Sequence, residues 1–342
     1  MLAKLFESLY LKVFINIVVT RSKSIVYTEM CSHKGEVVKS EEHTFATTSV
    51  DTHLQEYIGG IAKESPYVYI SLLDGARSQG ALPACSNSQL SKFIDLDSST
   101  YLCFENIWSF YTSKAELNHY KKVYEKTGLD FIFSPFVLLS HFFKDKIASY
   151  VSMFILVEDP SLTVAIFENG KLLYAEHIDM QNISADTDMM LLEEGEDEDM
   201  DILEESSIDL ESVDVLDDDM LDDFGNIEDL DEIEEIDDFS EAKDIEEELS
   251  TNVLADEVSS SDATRGFNED YQRFLMIQTS VNHFYKDPRY ESKFVESVYI
   301  ADSVGVSADL KRYLEEEMFL SVYVRHIDLP REVCDLAKSE LA

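Results

Sequence analysis

Basic residues are scarce in this sequence. Its 342 residues include 27 Lys and Arg against 70 Asp and Glu, which gives a formal net charge of −43 at pH 7. A surface that neutralises nucleic-acid phosphates, or that adsorbs to anionic lipid headgroups, needs the opposite charge. The composition therefore excludes a plain nucleic-acid-binding protein and disfavours electrostatic attachment to a membrane.

Long apolar runs are missing as well. The two longest, at 9–20 and 131–143, are both interrupted by polar residues. Neither reaches the roughly 20 apolar residues that span a bilayer. The N-terminus carries charges at Lys4, Glu7 and Lys12, where a signal peptide needs an uncharged apolar run. We therefore expect a cytoplasmic protein with no direct membrane insertion.

Cysteine and histidine are sparse and scattered. The four cysteines, Cys31, Cys85, Cys103 and Cys334, include no C-x-x-C pair. In a chain of this length such spacing argues against a disulfide framework, so we expect four reduced thiols. The eight histidines form no H-E-x-x-H motif and no cluster with zinc-ligand spacing. We expect no metal site and no catalytic residue.

The acidic residues are concentrated in one segment. Residues 185–264 hold 35 of the 70 acidic side chains and a single basic one, Lys243. The rest of the chain carries 35 acidic and 26 basic residues, a net charge of −9. Because like charges at this density repel one another, we expect 185–264 to be a long disordered insertion in an ordinary globular protein.

One pattern of strands occurs twice. Residues 12–45 contain three strand-like runs with a hairpin signal at 33–35, and residues 152–178 contain three more with Asn169-Gly170 at the matching place. Chance recurrence is the alternative; we favour duplication. The sequence then predicts an α/β protein with a first lobe at 1–150 and a second lobe at 151–184 plus 265–342. The first lobe is enlarged by a small extra subdomain at about 74–112.

These segments carry a family resemblance. YVYISLLDGARSQGALP (67–83), ILVEDPSLTVAIFENGKLLYAEHI (155–178) and the helix–strand–turn–helix–strand pattern at 268–326 resemble PilM of type IV pilus assembly and the cytoplasmic domain of the type II secretion protein GspL. Both belong to the actin-like ATPase superfamily. The resemblance implies a two-lobed actin-like fold, which is a duplicated ribonuclease H-like fold.

The nucleotide motifs of that superfamily are degenerate in this sequence. The resemblance implies two glycine-containing turns whose backbone N–H groups hold phosphates, and a glycine pair beside the adenosine. The corresponding turns, 16–23, 158–163 and 301–305, keep a single glycine. We mark as vestigial nucleotide-site positions Asn16, Thr20, Glu158, Thr163 and Gly305. ATP hydrolysis is not expected, and no cofactor is predicted.

The insertion is not a uniform polyanion. Apolar residues recur at every third position between the acids: Ile227, Leu230, Ile233, Ile236 and Phe239. Acidic–apolar alternation is typical of disordered segments that fold on binding, so these five are candidate partner-binding residues. The alternative is a solvated loop whose apolar residues bind nothing.

The resemblance implies a non-catalytic scaffold beside an inner-membrane machine: a type IV pilus, a type II secretion system or a related envelope apparatus. It implies binding of the cytoplasmic tail of a bitopic inner-membrane protein, in a groove within 67–112, and self-association into rings. We therefore expect a cytoplasmic protein attached to the inner membrane through its partner. Two alternatives stay open: an active actin-like ATPase with divergent loops, and an acidic regulator acting through 185–264.

Overall fold

The structure, a computed structural model, describes residues 10–180, 257–306 and 308–341, with side chains described at 10–180, 269–306 and 308–341. The chain divides into two units, 1–183 with 264–342 and 184–263. The five candidate partner-binding residues between Ile227 and Phe239 lie outside the described residues. Within the described part, no helix is both long and apolar enough to cross a membrane.

The first sheet contains five strands in the order β3-β2-β1-β4-β8. They are β1 (Lys12–Val19), β2 (Ser24–Cys31), β3 (Val37–Phe45), β4 (Tyr67–Leu73) and β8 (Phe131–Phe133). The first three are antiparallel neighbours, whereas β4 and β8 run parallel to β1. β1 lies at the centre of the sheet and is almost wholly buried, as its nearly all apolar sequence predicts.

The second sheet repeats this topology in the order β11-β10-β9-β12-β13. Its strands are β9 (Ser152–Val157), β10 (Ser161–Glu168), β11 (Lys171–Asp179), β12 (Ser297–Asp302) and β13 (Ser321–His326). Three antiparallel strands are again followed by two strands parallel to the first of them. This matching order confirms the duplicated, actin-like α/β fold predicted from the sequence.

Helices cover the sheets and connect the two lobes. They are α1 (Thr52–Ile61), α2 (Asn87–Leu90), α3 (Lys114–Val123), α4 (Pro135–Phe142), α5 (Glu257–Lys286), α6 (Ala308–Glu316) and α7 (Leu329–Glu340). α7 packs on β1, β2 and β4 of the first sheet, and α4 packs on β9 and β10 of the second. One hydrophobic core therefore runs through both lobes and includes Phe14, Leu138, Phe154 and Val333.

α5 begins earlier than the sequence pattern indicates. Apolar periodicity predicts a helix from residue 268, but the helix starts at Glu257, inside the segment assigned to the insertion. From residue 269 onward the helix packs on the core, through Phe274, Ile277, Val281 and Phe284, and these residues carry the periodicity. The first half has no apolar stripe from which its start could be recognised.

The extra subdomain contains a three-stranded antiparallel sheet that the sequence shows only in part. β5 (Gln79–Leu82), β6 (Ser99–Phe104) and β7 (Trp108–Ser113) pair in the order β5-β7-β6. The sequence of 74–99 is rich in Gly, Ser, Asn and Pro, which is typical of a loop and does not indicate β5. A Cβ at Gly80 would lie 2.6 Å from the hydroxyl oxygen of Tyr111. The close approach of the Tyr111 ring therefore favours glycine at this position of β5. Because glycine is rare inside strands, it interrupts the sequence pattern by which β5 could be recognised.

The expectation of four reduced thiols is wrong for one pair. Cys85, just after β5, and Cys103, on β6, are joined in a disulfide with their Cα atoms 5.4 Å apart. The strand order brings them together, although their separation of 18 residues matches no sequence signature. Cys31 and Cys334 are free and buried, as expected for core thiols.

Candidate functional site: a closed cleft between the lobes

The cleft lies where three turns meet. The first turn, 20–23, joins β1 to β2; the second, 158–160, joins β9 to β10; the third, 303–305, follows β12. All three line one cavity of about 830 Å³. In the fold resembled by the sequence, backbone N–H groups in such turns hold a nucleotide, so the partners of those groups decide what the cleft can bind.

The first turn is closed on itself. The Thr20 backbone N–H donates to the Lys23 carbonyl at 2.8 Å, and the Thr20 hydroxyl donates to the same oxygen at 3.2 Å. Both groups therefore bond within the turn itself. Asn16 is not part of this turn: it lies within β1, fully buried, and its amide donates to the Tyr27 carbonyl at 3.2 Å. This vestigial nucleotide-site position thus lies on the strand that leads into the turn and not in the turn itself.

The second turn is bonded to the first. Arg21 donates its backbone N–H to the Asp159 carbonyl at 3.2 Å, and its Nε lies 3.1 Å from Asp159 Oδ1. The Glu158 N–H donates to the Ser161 carbonyl at 2.9 Å, and Pro160 has no N–H to offer. We call the Arg21–Asp159 contact the turn bridge. It joins the two turns directly, in the space between them where a phosphate would have to enter.

The third turn binds the carboxylate of its own Asp302. This side chain accepts the backbone N–H groups of Val304, Gly305 and Val306 at 3.0, 2.8 and 3.0 Å. Gly305 has φ +81°, a left-handed conformation that favours glycine. The three N–H groups form an anion-binding nest, and Asp302 already fills it.

On one side of the turn bridge lies a smaller acidic cavity of about 280 Å³, lined by Asp74, Glu158 and His177 among others. Asp74, at the end of β4, is 4% exposed and accepts hydrogen bonds from the Ala76 N–H and the Tyr120 hydroxyl. Burial raises the pKa of Asp74. Burial also raises the pKa of Glu158 to about 8, and the nearby Asp74 charge adds to that shift. Glu158 is therefore mostly protonated at neutral pH.

His177 connects the extra subdomain to the second lobe. Its Nδ1 lies 2.9 Å from the Thr163 hydroxyl, and its Nε2 lies 3.5 Å from the Gln79 side-chain nitrogen. Burial lowers the pKa of His177 to about 4, so the ring is neutral. Both hydrogens of the Gln79 amide already donate to the Asp74 and Ala76 carbonyls, at 2.9 and 2.8 Å. Thr163 is thus a buried strand residue that orients a histidine.

On the other side of the bridge the large cavity is lined by α5. Arg273 on this helix is 7% exposed and forms ion pairs with Asp270 at 2.5 Å and Glu269 at 3.3 Å. Its Nε has no hydrogen-bond partner among the described residues. Because two carboxylates already compensate this guanidinium, the wall offers little net positive charge to an anionic ligand.

The structure brings together only some of the predicted positions. Thr20, Glu158 and Gly305 line the same cavity, whereas Asn16 and Thr163 lie within strands. Sequence reasoning missed Asp74 and Arg273, which come from distant parts of the chain. Within residues 10–180, 269–306 and 308–341, no group of three or more His, Cys, Asp or Glu side chains is placed to hold a metal ion.

Several solved structures align with most of the chain at low sequence identity and with TM-scores below 0.5. The PilM–PilN type IV pilus biogenesis complex aligns at 10% identity and a TM-score of 0.49, over 93% of this chain and 89% of that one. A Bacteroides thetaiotaomicron protein with an actin-like ATPase fold aligns at 9% identity and a TM-score of 0.43, over 94% and 95%. The ADPNP-bound activator of 2-hydroxyisocaproyl-CoA dehydratase from Clostridium difficile aligns at 10% identity and a TM-score of 0.37, over 96% of this chain and 97% of that one.

Two family models match the sequence. The one described as "Domain of unknown function (DUF8569)" matches residues 10–140, which form most of the first lobe. The one described as "Domain of unknown function (DUF8341)" matches residues 153–342, more than half of the chain. No curated protein matches the chain in sequence. The chain belongs to the DUF8341 family.

Proposed function

We propose that the chain is a non-catalytic scaffold that binds the cytoplasmic tail of an inner-membrane protein, within a type IV pilus, type II secretion or related envelope apparatus. The class of machine follows from the sequence resemblance to PilM and GspL. In this proposal the protein is cytoplasmic and reaches the membrane only through its partner. Self-association into rings stays a prediction.

The turn bridge is the observation that supports a non-catalytic role. Phosphate binding at this fold uses N–H groups on both turns, and the Arg21 N–H donates instead to the Asp159 carbonyl while the two side chains form an ion pair. The nest at the third turn is filled by Asp302. Glu158 and Asp159 would also face a polyphosphate. A nucleotide would have to displace these internal contacts before its phosphates could bind the same groups.

A rigid connection between the lobes also favours a scaffold. Trp108 of β7 packs edge-on against Phe167 of β10 with ring centroids 6.0 Å apart, and the guanidinium of Arg77 is paired with Asp179 of β11. The extra subdomain therefore contacts both lobes. Lobe rotation around a bound nucleotide would break these contacts, whereas a fixed docking platform keeps them.

Nucleotide titration tests the non-catalytic part. Calorimetry on the purified full chain with ATP or ADP and Mg²⁺ should give no saturable binding up to about 1 mM. Saturable binding accompanied by Mg²⁺-dependent turnover, lost on Asp159→Ala, would establish the active ATPase instead.

Capture from membranes tests the scaffold part. The full chain, used as bait in detergent-solubilised membranes of its own organism, should retain a single-span membrane protein. A matched bait lacking residues 185–256 keeps all of α5 and should retain the same protein. If only the full chain captures a partner, the acidic segment carries the function and the scaffold proposal is wrong.

A further inference from the structure

The end of the second sheet opposite the cleft exposes three large aromatic side chains. Tyr150, Phe294 and Phe319 are 90%, 74% and 85% exposed. Each precedes one of three neighbouring parallel strands, β9, β12 and β13. The rings therefore emerge at one end of the sheet, because the strand register aligns three serines in a row: Ser152, Ser297 and Ser321. We call Tyr150, Phe294 and Phe319 the aromatic end.

Phe319 is unfavourable for the fold on two counts. Its φ is +55°, in the left-handed region where a bulky residue is strained. The residue follows α6, and the next N–H, that of Leu320, donates back to the Leu314 carbonyl at 3.2 Å. Glycine or asparagine normally occupies such a left-handed position after a helix. The Phe319 ring also gains almost no burial, so neither the backbone nor the core accounts for a phenylalanine here.

Acidic residues flank two of the three aromatic residues, Phe294 and Phe319, along the chain. Glu296, Glu316 and Glu317 are exposed, and none has an ion pair among the described residues. Two lysines close to these glutamates in sequence form ion pairs with other carboxylates: Lys293 lies 2.5 Å from Glu168, and Lys311 lies 3.6 Å from Glu315. An occupant that complements this surface needs apolar side chains for the rings and basic side chains for the rim.

We propose that the aromatic end, rather than the groove within 67–112 that the resemblance implies, binds a short basic and apolar peptide segment, the membrane-proximal cytoplasmic tail of the partner. This inference rests on the proposed function. Cytoplasmic segments that flank membrane spans are enriched in Lys and Arg, which matches the acidic rim. A second copy of this chain, or its own acidic segment, would bring like charges to the same rim. Each of these is an outcome that the test separates.

Site-specific cross-linking identifies the occupant. Phe319 is replaced by the photoreactive residue p-benzoylphenylalanine in the full chain, in cells of the source organism, and the adducts are sequenced by mass spectrometry. A second variant carries the same probe at Leu102, which is 62% exposed on β6 of the extra subdomain. We expect position 319 to link to a Lys- and Arg-rich cytoplasmic tail. A link to another copy, to the acidic segment, to a soluble protein or to nothing overturns the proposal.

The Leu102 probe separates the two proposals. If a membrane-protein tail is linked from position 102 and not from 319, the scaffold function stands and the aromatic end is the wrong surface. If neither position links to a membrane protein, and membrane capture by the full chain also fails, both proposals are wrong.

Phe319→Gly distinguishes a binding residue from a structural one. With the linked tail as a synthetic peptide, this variant should weaken binding at least about tenfold, because exposed aromatic anchors contribute most to such interfaces. Its Tm should stay equal or rise, because glycine removes the left-handed strain. Glu316→Lys with Glu317→Lys should also weaken binding and should remove its dependence on salt. Unchanged affinity in both variants contradicts the inference.

Discussion

Glu158 makes the stability of the fold depend on pH. Burial raises the pKa of Glu158 from 4.5 to about 8, although the Ser161 hydroxyl donates a hydrogen bond that favours the charged carboxylate. The titratable and charged residues that line the same small cavity are Asp74, Arg77, His119, Tyr120, Tyr124, Asp159, His177 and Asp179. A carboxyl with a raised folded pKa stabilises the fold fully below its unfolded pKa near 4.5. That contribution is lost as pH rises through the folded pKa near 8.

The size of this effect can be bounded. A shift from 4.5 to about 8 corresponds to at most about 5 kcal/mol of unfolding free energy. Because Glu158 keeps partial access to water, we expect about 2 kcal/mol. That equals a fall in Tm of roughly 4–8 °C between pH 5 and pH 9 for a protein of this size.

Thermal unfolding across that pH range, followed by circular dichroism, measures the effect against two variants. Glu158→Gln keeps the shape of the side chain and cannot ionise, so most of the fall between pH 5 and pH 9 should disappear. Glu56→Gln removes an exposed carboxyl from α1 and should leave the fall unchanged. If Glu158→Gln shows the same pH dependence as the unaltered protein, Glu158 is ionised in the fold and the reasoning is wrong.

Two further predictions address the third turn and the insertion. Asp302→Ala removes the acceptor of three backbone N–H groups and should lower the unfolding free energy by about 1–3 kcal/mol in denaturant titration. Asp302→Asn keeps an acceptor oxygen and should lower it less. Equal losses in the two variants would show that the nest does not depend on that oxygen. In pull-downs that use residues 185–264 as bait, the double variant Ile233→Ser with Ile236→Ser should abolish specific capture at unchanged net charge, because the apolar residues supply the affinity. If the double variant captures the same proteins equally well, the segment acts only through its charge.

Features encoded locally could be predicted from the sequence. β1 and β9 are central strands, so their residues are apolar on both faces and stand out as continuous runs. Asn169 and Gly170 have positive φ, as their hairpin signal requires. β5 was missed because Gly80 serves a contact with Tyr111 that only the folded subdomain creates. The Cys85–Cys103 pair was missed for the same reason.

The candidate site was less predictable because it depends on which backbone groups are already bonded. The absence of glycine in two turns indicates a poor phosphate site, but it does not reveal the Arg21–Asp159 contact, which joins residues from different lobes. Asn16 was placed in a turn because the end of β1 cannot be located within an apolar run. Asp74 and Glu158 come from separate sheets, so their shared cavity appears only once both lobes are folded.

The same contacts that close the cleft also fix the relative position of the lobes. The turn bridge spans them at the mouth of the cleft, His177 and Gln79 span them at the extra subdomain, and α7 packs across them in the core. A protein that cycles with a nucleotide needs a lobe arrangement that the ligand can change, which requires differential contacts in two states. In the proposed scaffold the cleft has no nucleotide to respond to, so the surfaces that act are those on the outside of the fold. Among them, the strained and exposed Phe319 is the most distinctive.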